Sequence, residues 1–211
     1  MYVDLVDALR CPRAHAETWL VAAAHRARGR VIVDGALGCP ECTATYAIRD
    51  GVAHFGEPAP TMRTPEAPAH ADDDERAAEA TRLAALLDLT MPGGVVALAG
   101  VWDAVTDALL ALVEVRVLLV DPAGPYVPRE PVGAARGAPL PLAAGQVRGV
   151  ALDAATASPE RLAAAVRVLR PAGRLVAPGP KPATSRLSPA VGRNQWSESG
   201  MEHLVVGMTR R

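Results

Sequence analysis

This 211-residue sequence has no uninterrupted apolar run of about 18 residues, so no segment is expected to cross a bilayer as a helix. Charge of one sign is lacking too: 22 Lys and Arg stand against 23 Asp and Glu, a formal charge of −1. Nucleic-acid binding driven by bulk electrostatics is therefore not indicated. Aromatic residues make up 3% of the chain and Lys181 is its sole lysine, whereas alanine, arginine, glycine and proline abound. That bias fits a GC-rich coding sequence and says nothing of activity. Cysteine is also scarce. Three cysteines are an odd number, ill suited to a disulfide framework, and no apolar signal stretch precedes them, so the cytoplasm is the expected location.

Half of the residues are hydrophobic, enough for a sizeable core, and the length accommodates one ordinary domain plus a small module. All three cysteines fall in two short stretches, Cys11-Pro12-Arg13-Ala14-His15 and Cys39-Pro40-Glu41-Cys42. A Cys-Pro-x-Cys turn aims two sulfurs at one centre, since proline fixes φ and the turn's amides favour thiolate. A closed tetrahedral zinc site needs four ligands. Cys11, Cys39 and Cys42 supply three and His15 is the nearest fourth, with His25 as the fallback. Two alternatives stand beside bound zinc: an ancestral site that has lost its metal, and a Cys39–Cys42 redox pair.

Patterning divides the chain in three. Residues 1–56 read as a compact ribbon-like module, with a strand or helical turn over 1–9 and an alanine-rich helix over 16–27. Strands are expected over 30–33, 36–39 and 45–48, with tight turns at Asp34-Gly35 and Asp50-Gly51. Residues 57–71 are proline-rich and read as a linker. From Asp72 an acidic helix start leads into alternating strands and helices over 72–211. Apolar runs at 95–99, 116–120, 147–152 and 174–177 read as buried parallel strands, with helices over 101–115 and 159–169 between them. Residues 122–137 read as loop, and 186–196 with 202–209 as an antiparallel pair closing the sheet edge.

Two resemblances follow from these residues. Cys39-Pro40-Glu41-Cys42 followed by Tyr46-Ala47-Ile48-Arg49-Asp50-Gly51 resembles the small zinc-binding activator of tRNA, rRNA and release-factor methyltransferases, whose bacterial relatives share a "CPEC…YPIRDGIP" ending. Ala14 stands where that family's first knuckle has its second cysteine. The remainder is similar to class I S-adenosylmethionine-dependent methyltransferases: Val168-Leu169-Arg170-Pro171-Ala172-Gly173-Arg174-Leu175-Val176 is close to the "VLRPGGRLV" leading into that fold's fifth strand, and Leu140-Pro141-Leu142 is similar to its "LPF" element. The resemblance implies an α/β, Rossmann-like, mostly parallel sheet with an antiparallel C-terminal edge. It also implies S-adenosylmethionine as cofactor, with Gly100 at the backbone turn and Asp121 on the ribose.

The pattern departs from the family at the first strand. A glycine-rich turn should follow that strand so that the backbone can approach the cofactor. Val95-Val96-Ala97-Leu98-Ala99-Gly100-Val101-Trp102 keeps one glycine, brings bulk at Val101 and Trp102, and has Ala97 in place of the usual in-strand acid. Asp121 and Asp153 also read as ordinary strand-end carboxylates. The resulting expectation is a non-catalytic, methyltransferase-like protein that acts through its zinc module and Rossmann-like domain either by binding a protein partner, a methyltransferase or a second copy of itself, or as a structural subunit of a larger assembly. The alternative is an active methyltransferase of RNA, protein or a small metabolite with a divergent cofactor loop.

Overall fold

The computed structural model describes residues 1–56, 72–137 and 139–178, and the backbone of 204–208. The expected linker at 57–71 and the strand expected at 186–196 lie outside the described residues.

Five strands make the centre of the sheet: β5 (Val95–Ala99), β6 (Arg116–Val120), β7 (Val132–Arg136), β8 (Val147–Ala151) and β9 (Leu169–Pro178). They are parallel and lie in the order β7-β6-β5-β8-β9, so the chain starts in the middle, winds one way, and reverses between β5 and β8. This is a doubly wound, Rossmann-like α/β sheet. β5 is apolar and buried at every position, and β6, β7 and β8 are buried over most of their length, because both faces are covered. Val96, Leu98, Val117, Leu119, Ala134 and Val176 pack with α2 (Asp73–Leu86) and α3 (Thr106–Leu112). Ala97, Ala99, Leu118, Val120, Val150 and Leu175 face the other way, towards α4 (Pro159–Val168) and the N-terminal segment. Both longer helices start as their sequences direct: Asp72 Oδ1 accepts the Glu75 amide at 2.7 Å, and Ser158 caps α4 ahead of Pro159. At the far edge β10 (Leu204–Met208) runs antiparallel, the direction expected of the C-terminal edge, and its partner is β9.

The N-terminal segment comprises a single helical turn α1 (Val3–Val6) and strands β1 (Val21–Arg28), β2 (Val31–Gly38), β3 (Thr45–Arg49) and β4 (Val52–His54). These four strands pair antiparallel in sequence order, and β4 then lies parallel to β7 through Val52↔Ala134, Ala53↔Ala135 and His54↔Arg136. One ten-stranded sheet therefore runs from the cysteine-bearing turns to the C-terminal edge. The β7–β8 crossover contains no helix among its described residues. The N-terminal segment covers that face instead, where Leu9 bridges Leu142, Arg10 N–H donates to Pro141 O, and Ala143 N–H donates to Ala8 O. Gly133 of β7 admits this packing, since a Cβ there would come within 2.8 Å of Leu5 Cδ1 and Met1 Sδ.

Four local expectations are corrected. The alanine-rich stretch at 16–27 is not a helix: it forms most of β1, because a short helix is marginal alone and pairing with β2 satisfies the backbone instead. Asp34-Gly35 is not a turn but lies inside β2, and the hairpin turns at Gly29. The segment at 122–137 is not all loop, since its last residues form β7; Gly133, Ala134 and Ala135 are too small to read as a strand core. Residues 170–173 do not precede a short strand: β9 begins at Leu169 and carries Pro171-Ala172-Gly173 as an irregularity opposite the Val147/Gly149 register shift. No helix among the described residues is long and apolar enough to cross a membrane.

Candidate metal centre and cofactor crevice

The two cysteine stretches meet beneath the β1–β3 sheet. Cys11 leaves α1 in a loop closed by its amide donating to Thr18 O and by an Arg10–Trp19 bridge, and His15 lies within that loop. Cys39 directly follows β2, and its amide donates to Ala44 O across the turn that carries Cys42. The ligand atoms of Cys11, His15, Cys39 and Cys42 all lie within 4.8 Å of one another. Cys11 Sγ is 3.7 Å from Cys42 Sγ, and Cys39 Sγ is 3.5 Å from His15 Nε2. A tetrahedral zinc with bonds of about 2.3 Å to sulfur and about 2.0 Å to nitrogen separates its sulfurs by about 3.8 Å and sulfur from nitrogen by about 3.5 Å. A disulfide needs sulfurs about 2.05 Å apart, and all three cysteines are free. The donor set thus fits a zinc ion. His15 Nδ1 is 2.6 Å from Ala16 O, which fixes the proton on Nδ1 and leaves the Nε2 lone pair for a metal. His25, the fallback ligand, is exposed on β1.

Cys11 and Cys42 are pushed in opposite directions. Burial pushes the Cys11 thiol up, but hydrogen bonds from the Tyr46 hydroxyl, the Arg13 amide, Cys39 and Cys42 carry it below its ordinary value. At Cys42 the Ala44 amide pulls down, yet burial and the Cys39 and Cys11 sulfurs carry that thiol above its ordinary value. A divalent cation would remove the conflict.

The second site is the crevice outside the strand ends where the winding reverses, the usual ligand position in such sheets. Gly100 follows β5 with φ +65° and opens a 3-10 turn, Gly100–Val105. The Asp153 carboxylate lies beside it: Oδ2 accepts the Val101 amide at 2.8 Å, and Oδ1 accepts the Thr156 amide at 2.8 Å and hydroxyl at 2.6 Å. A Cβ on residue 100 would collide with that carboxylate. Trp102 does not fill this space; it is buried in the core shared with α2 and α3. Asp121 directly follows β6 with φ +47°, its Oδ2 ion-paired to Arg161 and its Oδ1 accepting the Gly137 amide. Arg161, from α4, also donates to Pro139 O and Thr156 O, so one guanidinium ties three segments across the crevice.

Sequence reasoning did not single out Arg161 or Arg148. Arg148 is 5% exposed and donates to the carbonyls of Asp88, Met91 and Gly93, fastening the connection from α2 to β5. In sequence neither differs from a solvated helix or strand cation. Arg26 and Arg28 line a cavity of about 510 Å³ together with Arg129, Asp50 and Glu130. Arg26, Arg30 and Arg129 pair with Asp34, Asp4 and Asp107, which neutralises most of the local charge.

No protein-family description matches the chain, and no curated protein matches it. Among solved structures it is similar to a geranyl diphosphate methyltransferase in complex with SAM (TM-score 0.39, 16% identity, 53% of this chain and 56% of that one). It is similar also to a Galdieria sulphuraria protein assigned as a sarcosine dimethylglycine methyltransferase (TM-score 0.39, 12% identity, 48% of this chain and 45% of that one). A third is a Methanococcus maripaludis protein assigned as an S-adenosylmethionine-dependent methyltransferase (TM-score 0.39, 9% identity, 66% of this chain and 93% of that one). The chain spans about half the length of the first two, at 56% and 45%.

Proposed function

We propose that this chain is a non-catalytic, methyltransferase-like protein whose zinc-holding N-terminal module is bound in cis to the edge of its own Rossmann-like sheet. One observation carries the reading. In the crevice where a cofactor would lie, Asp153 takes the amide that follows Gly100, and Arg161 takes the Asp121 carboxylate. Both groups that the methyltransferase resemblance would assign to cofactor, the backbone turn and the ribose acid, already have partners within the chain. Binding S-adenosylmethionine would require breaking a charge-assisted ion pair and displacing a carboxylate held by three donors, and each such loss costs about 1.5–3 kcal/mol.

The activator resemblance supports the other half. That family works by covering an apolar edge of a methyltransferase sheet, and here β4 covers the β7 edge of the same chain. Zinc, held by Cys11, His15, Cys39 and Cys42, supplies a structural crosslink between the loop after α1 and the β2–β3 turn. Trp19 and Val21, exposed by 64% and 57% within that module, are the apolar surface offered to a protein partner, a methyltransferase or a second copy.

Isothermal titration of the zinc-loaded chain with S-adenosylmethionine tests the reading. No saturable heat up to millimolar ligand is expected. Micromolar binding, lost in Asp121→Ala, would instead support an active methyltransferase with an unusual cofactor loop.

A further inference from the structure

Tyr46 sits in β3 opposite Leu37 of β2, 6% exposed, with its ring 4.9 Å from that of Phe55. Phenylalanine would fill the same volume. The hydroxyl, however, is 3.1 Å from Cys11 Sγ, and among the described residues it has no other hydrogen-bond partner. A buried phenol needs such a partner, and a sulfur bound to a cation keeps lone pairs that can accept. Three thiolates and one neutral imidazole around a divalent ion leave a net charge of −1 in a mostly buried site. Each donor to a sulfur disperses part of that charge. Among the described residues Cys11 alone of the three receives a hydroxyl.

Resting on the metal reading above, we infer that Tyr46 is a positioning residue of the metal centre: its phenol donates to the Cys11 thiolate, orients that sulfur, and makes it the least electron-rich of the three. The same ring leans on Phe55, whose amide donates to Arg136 O at the end of the β4–β7 seam. The hydroxyl therefore also ties the metal loop to the strand that joins the module to the sheet.

Cobalt(II) titration of the full chain tests this, with a competing chelator for affinity and the sulfur-to-cobalt charge-transfer band for electron density. In Tyr46→Phe the affinity should fall by about 10- to 100-fold and the band should move to lower energy, with the far-ultraviolet circular dichroism unchanged. Unchanged affinity and band in the variant would overturn the role of Tyr46 while leaving the metal centre intact. A wild-type chain that takes up neither cobalt nor zinc would overturn both. Should the variant fail to fold, uniform 3-fluorotyrosine labelling strengthens the donor at nearly the same shape. Tyr2 and Tyr126 bond elsewhere, to Asp4 and Val132 O, so the band reports on Tyr46. It should move to higher energy, and a band that stays in place would overturn the proposal.

Discussion

The Asp153 carboxylate accepts the Val101 amide at 2.8 Å and occupies the space into which any side chain at Gly100 would project. Asp153 stands two residues beyond β8 and Gly100 directly follows β5, so the contact spans the point where the sheet reverses its winding. In a cofactor-binding sheet this is where the first turn's amides face a ligand. Here they face the chain's own carboxylate. Asp121 and Arg161 repeat the arrangement one strand further along, and the two contacts share a neighbour in Thr156, which donates to Asp153 and accepts from Arg161.

Gly100→Ala should therefore destabilise the fold by about 2–4 kcal/mol, combining a positive-φ penalty of about 1 kcal/mol with the collision at Asp153. In an Asp153→Ala background the same change should cost only the first part. Urea denaturation of the four proteins in the cycle isolates the coupling. Equal costs in both backgrounds would mean that Asp153 does not hold this turn.

Arg148→Met should cost about 2–4 kcal/mol, because it leaves the carbonyls of Asp88, Met91 and Gly93 without their shared donor at a position only 5% exposed. Methionine preserves the aliphatic stem, so the loss reports the guanidinium. Thermal unfolding monitored by circular dichroism reads it. A change below about 0.5 kcal/mol would show that water satisfies those carbonyls equally well.

Metal removal should lower one unfolding transition rather than melt the N-terminal module by itself. β4 is hydrogen-bonded into the parallel sheet, and Leu5, Leu9, Leu37 and Ile48 belong to the same continuous core as Leu118, Val150 and Leu175. Scanning calorimetry with and without a chelator distinguishes the cases. Cys39→Ser should reproduce the chelated trace and be insensitive to added zinc. Two separated transitions, only one of them zinc-dependent, would contradict a shared core.

The doubly wound sheet was legible because β5 at 95–99 is an unbroken apolar run, β6 at 116–120 is apolar after Arg116, β8 at 147–151 is interrupted only by Arg148, and the helices carry capping signals at Asp72 and Ser158. β7 was not, since the close approach of Leu5 and Met1 demands glycine at 133 and small neighbours, which erases the strand pattern. β1 was misread for the opposite reason: alanine carries a helical preference, while its pairing with β2 is set by tertiary context. The candidate ligands were legible from spacing, and the structure brings His15 rather than exposed His25 to the sulfurs. The occupants of the crevice were not, because an arginine that crosses from α4 to Asp121 looks in sequence like any solvated helix cation.

Acid should destabilise the protein in two separable steps. Burial, then the nearby Arg49 and Arg136 charges, hold His54 below its ordinary value of about 6.5. Such a histidine binds its proton more readily when unfolded. Its contribution is fully present above about pH 6.5, is lost as pH falls through the unfolded value, and levels off below the folded one. Asp4, through hydrogen bonds from Tyr2 and Arg30, and Asp34, through Arg26 and the Asp50 amide, are held below the usual carboxylate range. Their stabilisation persists above about pH 3.8 and disappears as pH falls through their folded values, well below the histidine step. Metal thiolates also protonate in acid, so the informative quantity is the difference between wild type and His54→Gln at each pH, in which that common loss cancels. The difference should fall across the upper step and stay constant across the lower one. A difference that is constant across the upper step as well would assign that step to the metal ligands instead.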